Sequence, residues 1–446
     1  MTKGFALVAF VLIGLVMGSN GAHSKVFPYK VNEVILDNGL KVVSVPYDSP
    51  GLIAYYTVVR AGSRNEVEPG RSGFAHFFEH MMFRGTEKYP SDKYDEILQS
   101  YGIDDNAFTT DDYTCYHLVG TKDALETIID LESDRFKNLK YSEEAFRKEA
   151  GAVLGEYNMN SSNPFLIMFE KLHDNAYTTH TYKHTTMGFL QDIENMPNLY
   201  NYSLQFHDRY YRPDNSIIVV VGDFDQDTLI RLVKKYYGDW ERSDYKVDIP
   251  VEPPQTEEKT AHITWDNPTM PILLIGYHGP AFSDRQIDMP ALDLMSQLAF
   301  SESSPLYRKL VVEEAVVEFI YGGCTDHRDP PLFTIVTRIK DEQDMERVRE
   351  EIFAAIEETI KSPVSEERLA EIKSHMKYNF AMGLDTPGRI AGTLAHYLQM
   401  TADYETVNRV YMLYDQVTPQ DVMDVAQQYF GVENRTIVTL TYGGEK

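Results

Sequence analysis

Two stretches of this chain end in the same way, and that repetition limits the folds open to it. Near residue 210 a helical pattern closes on Tyr210-Tyr211, breaks at Arg212-Pro213-Asp214-Asn215 and gives way to the apolar strand SIIVVVGDF. A helical pattern from Pro419 to Tyr429 closes on Tyr429-Phe430, breaks at Gly431 to Asn434 and gives way to RTIVTLTY. The openings also match. The first half begins with the strand patterns VILDNGLKVVSVP, turning at Asn38-Gly39, and LIAYYTVVRAGS. The second begins with PILLIGYHGPAF, followed by the helical PALDLMSQLAF. Further helical stretches fall at about Gly73 to Phe83, Lys122 to Leu139 and Gln226 to Tyr237. Between the halves, KVDIPVEPPQTEEK (246–259) carries three prolines and several acids and reads as a linker. The expectation is an internal duplication of an α+β unit of roughly 200 residues, with one copy in 25–245 and the other in 260–446. Hairpin-like strands followed by runs of helix predict sheets with helices packed on one face.

Residues 1–24 stand apart from both copies. Lys3 precedes a thirteen-residue apolar run, Phe5 to Met17, and small and polar residues follow it. That order predicts a secretory signal and a secreted or periplasmic location. The run is shorter than the roughly 20 residues a membrane span needs, and no later stretch is long and apolar enough. An uncleaved anchor is the alternative. The two cysteines, Cys115 and Cys324, lie in different halves in strand-like surroundings; two buried free thiols are expected rather than a disulfide scaffold. A net charge of −26 argues against nucleic-acid binding. It fits a self-repelling surface, or an acidic interior that attracts basic peptides.

The chemistry concentrates in GFAHFFEHMMF. On a helix His76 and His80 are four residues apart, with Cβ atoms roughly 5–6 Å from each other on one face. Two imidazoles so placed can share one zinc ion, and Glu79 can reach a water beside the metal. The order H-x-x-E-H inverts the commoner zinc-protease motif. Zinc hydrolases use three protein ligands and keep a position open; the metal lowers the pKa of its water from about 15.7 to about 7. Glu79 would serve as general base and then protonate the leaving amine. A second helical stretch, EEAFRKEAGAVLGEYNM, offers the third ligand. Glu149 and Glu156 are two turns apart on one face, so by spacing either could reach the metal and the other would orient a His or the substrate. A further pair, His180 and His184, has no Glu between and lies in a Thr-rich, loop-like stretch; it is read as non-metal.

With these residues the chain resembles the pitrilysin or insulinase family of inverted-motif zinc peptidases, in the short bacterial form similar to the mitochondrial processing peptidase beta subunit. GFAHFFEHMMFRGTEKYP looks like the family's signature. Asn106-Ala107-Phe108-Thr109, running on to Tyr113-Thr114-Cys115-Tyr116, looks like its substrate-binding strand, and Tyr210 through Asp223 also fits. The family's third ligand lies about 75 residues past the motif and seven past an essential Glu. The resemblance therefore implies Glu156 as the ligand, 76 residues past His80, and Glu149 as the supporting acid. It implies two homologous α+β domains with mostly antiparallel sheets, the second binding no metal, and one Zn2+ per chain. It also implies a chamber made by two subunits, in which a peptide adds a strand along Asn106, Ala107, Phe108 and Thr109.

One departure shapes the expected assembly. Many relatives carry an Arg and, seven residues later, a Tyr in the second half that hold the substrate. In SSPLYRKLVVEEAVVEFIYGG those positions are Val311 and Glu318, while Arg308 and Tyr321 are out of register. The expectation is a heterodimer whose homologous partner lacks the zinc motif and supplies the Arg and Tyr; a homodimer using Arg308 is the alternative. The expected function is zinc metalloendopeptidase, against a non-catalytic scaffold or peptide-binding subunit.

Overall fold

The computed structural model describes residues 25–444; the expected signal segment lies outside them. The strands are β1 (Asn32–Ile35), β2 (Lys41–Pro46), β3 (Leu52–Val59), β4 (Asp104–Thr109), β5 (Thr114–Thr121) and β6 (Ser216–Gly222), then β7 (Lys259–Trp265), β8 (Ile272–His278), β9 (Val317–Gly323), β10 (Leu332–Ile339) and β11 (Arg435–Tyr442). They form two sheets, ordered β1-β2-β6-β3-β5-β4 and β7-β11-β8-β10-β9.

Apart from β1, the two orders are the same arrangement. The closing strand of each half lies parallel to one neighbour, β6 to β2 and β11 to β7, and antiparallel to the other, β3 or β8. Every other pairing is antiparallel. The shared endings also have a shared geometry. Asn215 Nδ2 donates to Tyr210 O at 3.0 Å, and Asn434 Nδ2 donates to Tyr429 O at 2.7 Å. In both halves this bond closes a helix onto the turn that launches the half's last strand.

Helices of its own half cover one face of each sheet. In the first half these include α1 (Phe74–Met81), α2 (Ser91–Tyr101), α3 (Leu125–Asn138) and α4 (Glu143–Asn160), and Phe74, Phe77 and Phe78 share a core with Val42, Tyr55 and Val220. The other face is covered by a helix from the opposite half. Helix α5 (Pro164–Ala176) packs on β7, β8 and β11, where Met168 and Leu172 meet Ile272, Leu274, Val438 and Leu440. The second half returns Pro387–Thr401 to β3 and β6, where Ile390, Leu394 and Leu398 meet Ala54, Val58 and Val219. Both exchanged helices start alike, with a capping side chain (Asn163, Thr386) followed by proline at the first helical position.

Burial on both faces explains the continuous apolar runs. In β6 every residue is buried, and in β3 every residue after Leu52; a strand with one wet face would alternate. No helix among the described residues is long and apolar enough to cross a membrane. The thiols depart from expectation in one respect. Both are free, but only Cys115, inside β5, is buried; Cys324 falls just past the end of β9 and is half-buried.

Candidate metal centre

Helix α1 is set by its first turn. Gly73 precedes it at φ +88°, and a Cβ there would meet Met187 O at 2.7 Å, so only glycine fits. Gly73 has no side chain to cap the helix, and Glu66 takes that role: it accepts from Gly73 N at 2.7 Å and Ala75 N at 2.6 Å. A carboxylate at a helix N-terminus satisfies orphan donors and complements the dipole. The apolar side of α1 is buried, and Phe77 meets Phe146 of α4 with ring centroids 5.0 Å apart. This packing sets α4 beside the two histidines.

At that contact three side chains converge. His80 Nε2 lies 3.2 Å and His76 Nε2 3.8 Å from Glu156 Oε2. The two imidazole centroids are 4.8 Å apart, with planes at 75°. Ligand atoms held about 2.0–2.2 Å from a tetrahedral zinc ion sit about 3.4 Å from one another, and these separations bracket that value. The set is two neutral-capable imidazoles and a carboxylate, the donor chemistry of a catalytic zinc site with one position left over. Among the described residues it is the one group of three His, Cys, Asp or Glu side chains close enough to hold a metal ion.

The surroundings hold the donors in usable states. Burial, then the neighbouring His80, brings the His76 imidazole down to about 4, so it stays neutral. His80 Nδ1 lies 3.1 Å from Glu149 Oε1, and this hydrogen bond raises the His80 pKa. Glu149 is almost fully buried; burial pushes its carboxyl up, but His80 and Arg84 outweigh that and hold it below the usual range. The Glu149–Arg84 ion pair was not anticipated from the sequence, although Arg84 follows His80 by four residues. A carboxylate on the far nitrogen of a ligating histidine fixes its tautomer and orientation.

Glu79 points toward the sheet edge. Its Oε2 accepts from Thr109 Oγ1 at 2.6 Å, and burial raises its pKa against the effect of that bond. Among the described residues strand β4 ends its sheet and pairs only with β5, so its other edge carries no strand. Along it Ala107 is buried, Asn106 and Phe108 are exposed, and the Thr109 side chain is already engaged by Glu79.

The remaining sequence candidates lie elsewhere. His180 Nε2 pairs with Asp329 at 3.0 Å, and its Nδ1 accepts from Tyr182 N; His184 Nδ1 bonds Thr185 O. In the second half Val311 is half-buried and Arg308 exposed. On β9, Glu318 pairs with Arg338 at 3.0 Å, while Tyr321 stands 60 % exposed.

Comparison with known proteins gives the lineage. The profile described as insulinase (peptidase family M16) matches residues 51–189, and that described as peptidase M16 inactive domain matches 200–376. The crystal structure of a protease from Helicobacter pylori superposes with a TM-score of 0.86 at 30% identity, covering 93% of this chain and 99% of that one. The chain belongs to peptidase family M16. The zinc protease PqqE of Helicobacter pylori is 29% identical over 448 residues, 98% of this chain and 97% of that protein. The bovine mitochondrial-processing peptidase subunit beta is 30% identical over 224 residues, 49% of this chain and 44% of that one. The motif residues His76, Glu79, His80, Glu149 and Glu156 all fall inside the insulinase match, and helix Asp288–Phe300 of the second half, which has no histidine, falls inside the other.

Proposed function

We propose that this M16 chain is a zinc metalloendopeptidase whose single Zn2+ is held by His76, His80 and Glu156, with Glu79 as general base. The observation that carries the reading is the convergence of His76 Nε2, His80 Nε2 and Glu156 Oε2 beside a glutamate hydrogen-bonded to the edge strand. A zinc ion bound there would polarise the scissile carbonyl and ease deprotonation of the attacking water. The chain's own residues do the rest. Asn106, Ala107, Phe108 and Thr109 present the β4 edge, on which an extended peptide gains main-chain hydrogen bonds. Thr109 fixes Glu79 Oε2, leaving Oε1 to take the proton of the water that attacks the carbonyl carbon. As the C–N bond breaks, Glu79 passes that proton to the amine nitrogen. Burial raises the Glu79 carboxyl above its ordinary range, which makes it a stronger base for the first transfer. Glu149 and Arg84 orient His80.

The active unit in this reading is a two-subunit chamber for peptides or small unfolded chains, outside the cytoplasm, built from the units 25–245 and 260–446. Neither Val311 nor Glu318 offers the Arg and Tyr of the family pattern, which supports a homologous partner that supplies them. A quenched fluorescent peptide tests the reading, using the zinc-loaded chain alone and with a homologous partner. Cleavage should be lost with chelator and fall by about 10²–10⁴-fold in Glu79→Gln. Chelator-insensitive or absent cleavage in both preparations would instead favour a scaffold or peptide-binding subunit. Full activity of the chain alone would rule out the obligate heterodimer.

A further inference from the structure

The turn between β4 and β5 is gripped by the other half of the chain. Asp111 Oδ2 lies 2.9 Å from His327 Nε2, and Asp112 Oδ2 accepts from Arg328 N at 2.8 Å. The first half supports the same turn from the opposite side. Asp111 Oδ1 accepts from Ser63 Oγ at 2.8 Å, Asp111 O accepts from Arg64 N at 2.8 Å, and Asp112 Oδ1 accepts from Tyr182 OH at 2.7 Å. The fit is close: a Cβ on Gly62 would stand 2.3 Å from Thr110 O. His327 is held in turn by Thr325 O, 3.0 Å from its Nδ1.

Thr109, the last residue of β4, donates to Glu79, and Asp111 is only two residues further on. At about 3.3 Å per residue the turn is about 7 Å along the chain from Thr109, too short to absorb a shift. We propose that His327, from the half that carries no metal ligand, is a positioning residue for the peptidase reaction: by holding Asp111 it keeps β4 where Thr109 can fix Glu79. The inference rests on Glu79 being the general base. It gives the second half a part in the catalytic geometry of the first, since a charge-assisted bond of this kind is short and directional. Misplacement by about 1 Å can cost about 100-fold in rate.

The experiment uses the full zinc-loaded chain, with its partner where activity requires one. His327→Ala should lower kcat by between about tenfold and 100-fold with zinc affinity unchanged, and His327→Gln, which keeps a donor, should recover much of it. In a Thr109→Val background His327→Ala should lower kcat by a smaller factor, because the hydroxyl link it acts through is cut and only the backbone N–H of residue 109 still reaches Glu79. Should His327→Ala fail to fold, Asp111→Asn carries the same comparison. Amide exchange at Thr109 and Thr110 should quicken in His327→Ala whether or not turnover is measurable. Equal fold-losses in the wild-type and Thr109→Val backgrounds, or unchanged exchange at those amides, would overturn the proposal. Absence of chelator-sensitive turnover in the wild type would count against the peptidase reading, and the exchange data would still decide whether His327 holds the strand.

Discussion

His80 turns its Nδ1 to the buried carboxylate of Glu149, 3.1 Å away, and so presents its other nitrogen to Glu156. Glu149→Gln would keep the shape and lose the charge. Zinc affinity, read by competition with a chromogenic chelator, should fall by about 10–100-fold. An affinity equal to the wild type would mean that Glu149 does not orient the ring.

The exchanged helices should make the two halves unfold together. Leu172 of α5 is fully buried against the second sheet, so Leu172→Ala should cost about 2–5 kcal/mol. Calorimetry should show one transition moving to lower temperature. Two resolved transitions, with only the second half affected, would contradict that coupling.

The inter-half ion pair has a pH signature. Burial pushes His327 down, but the hydrogen bond and charge of Asp111, with Asp112 and the Thr325 carbonyl, together raise it to about 9; burial pushes Asp111 up, but His327, His173 and the Ser63 hydroxyl together hold its carboxyl at about 2. The raised histidine contributes stability that is full below its ordinary value near 6.5 and lost as pH rises through about 9. The depressed aspartate contributes stability that is full above its ordinary value near 3.8 and lost as pH falls through about 2. These are two edges of one interaction. The wild-type Tm should therefore decline between pH 6.5 and 9 by more than that of His327→Gln; parallel curves would show that the pair adds no stability.

Asp293 works the other way. Burial, with Asp326 nearby, raises its carboxyl to about 7 against the effect of the Tyr414 hydroxyl. The folded state prefers it protonated, so this contribution is full below about pH 3.8 and gone above about 7. Asp293→Asn should raise Tm at pH 8 relative to the wild type by more than at pH 5. An equal difference at both would mean that the carboxyl is not held protonated.

Much of this was legible in the sequence because it was periodic. Helix Pro419–Tyr429 and helix Gln226–Tyr237 fall where the pattern placed them, and the repeated Asn turns mark equivalent hydrogen bonds. The exchange of α5 and Pro387–Thr401 was not legible, because periodicity shows that a helix has an apolar face but not which sheet it meets. The two acids of α4 were ambiguous for a related reason. Glu149 and Glu156 share a face, and only their different heights along α1 bring one to His80 Nδ1 and the other to Nε2. Arg84 and the Thr109 hydroxyl left no signal of their own. Each acts through a partner distant in sequence, 65 residues on for Arg84 and 30 back for Thr109.

The most direct measurement is zinc content by mass spectrometry, with the metal's ligand shell read by X-ray absorption. The wild type should retain one zinc ion per chain with two imidazole ligands, and Glu156→Ala and His76→Ala should each lose it on dialysis. Retention of a full equivalent by Glu156→Ala, in an unchanged ligand shell, would contradict the proposed site.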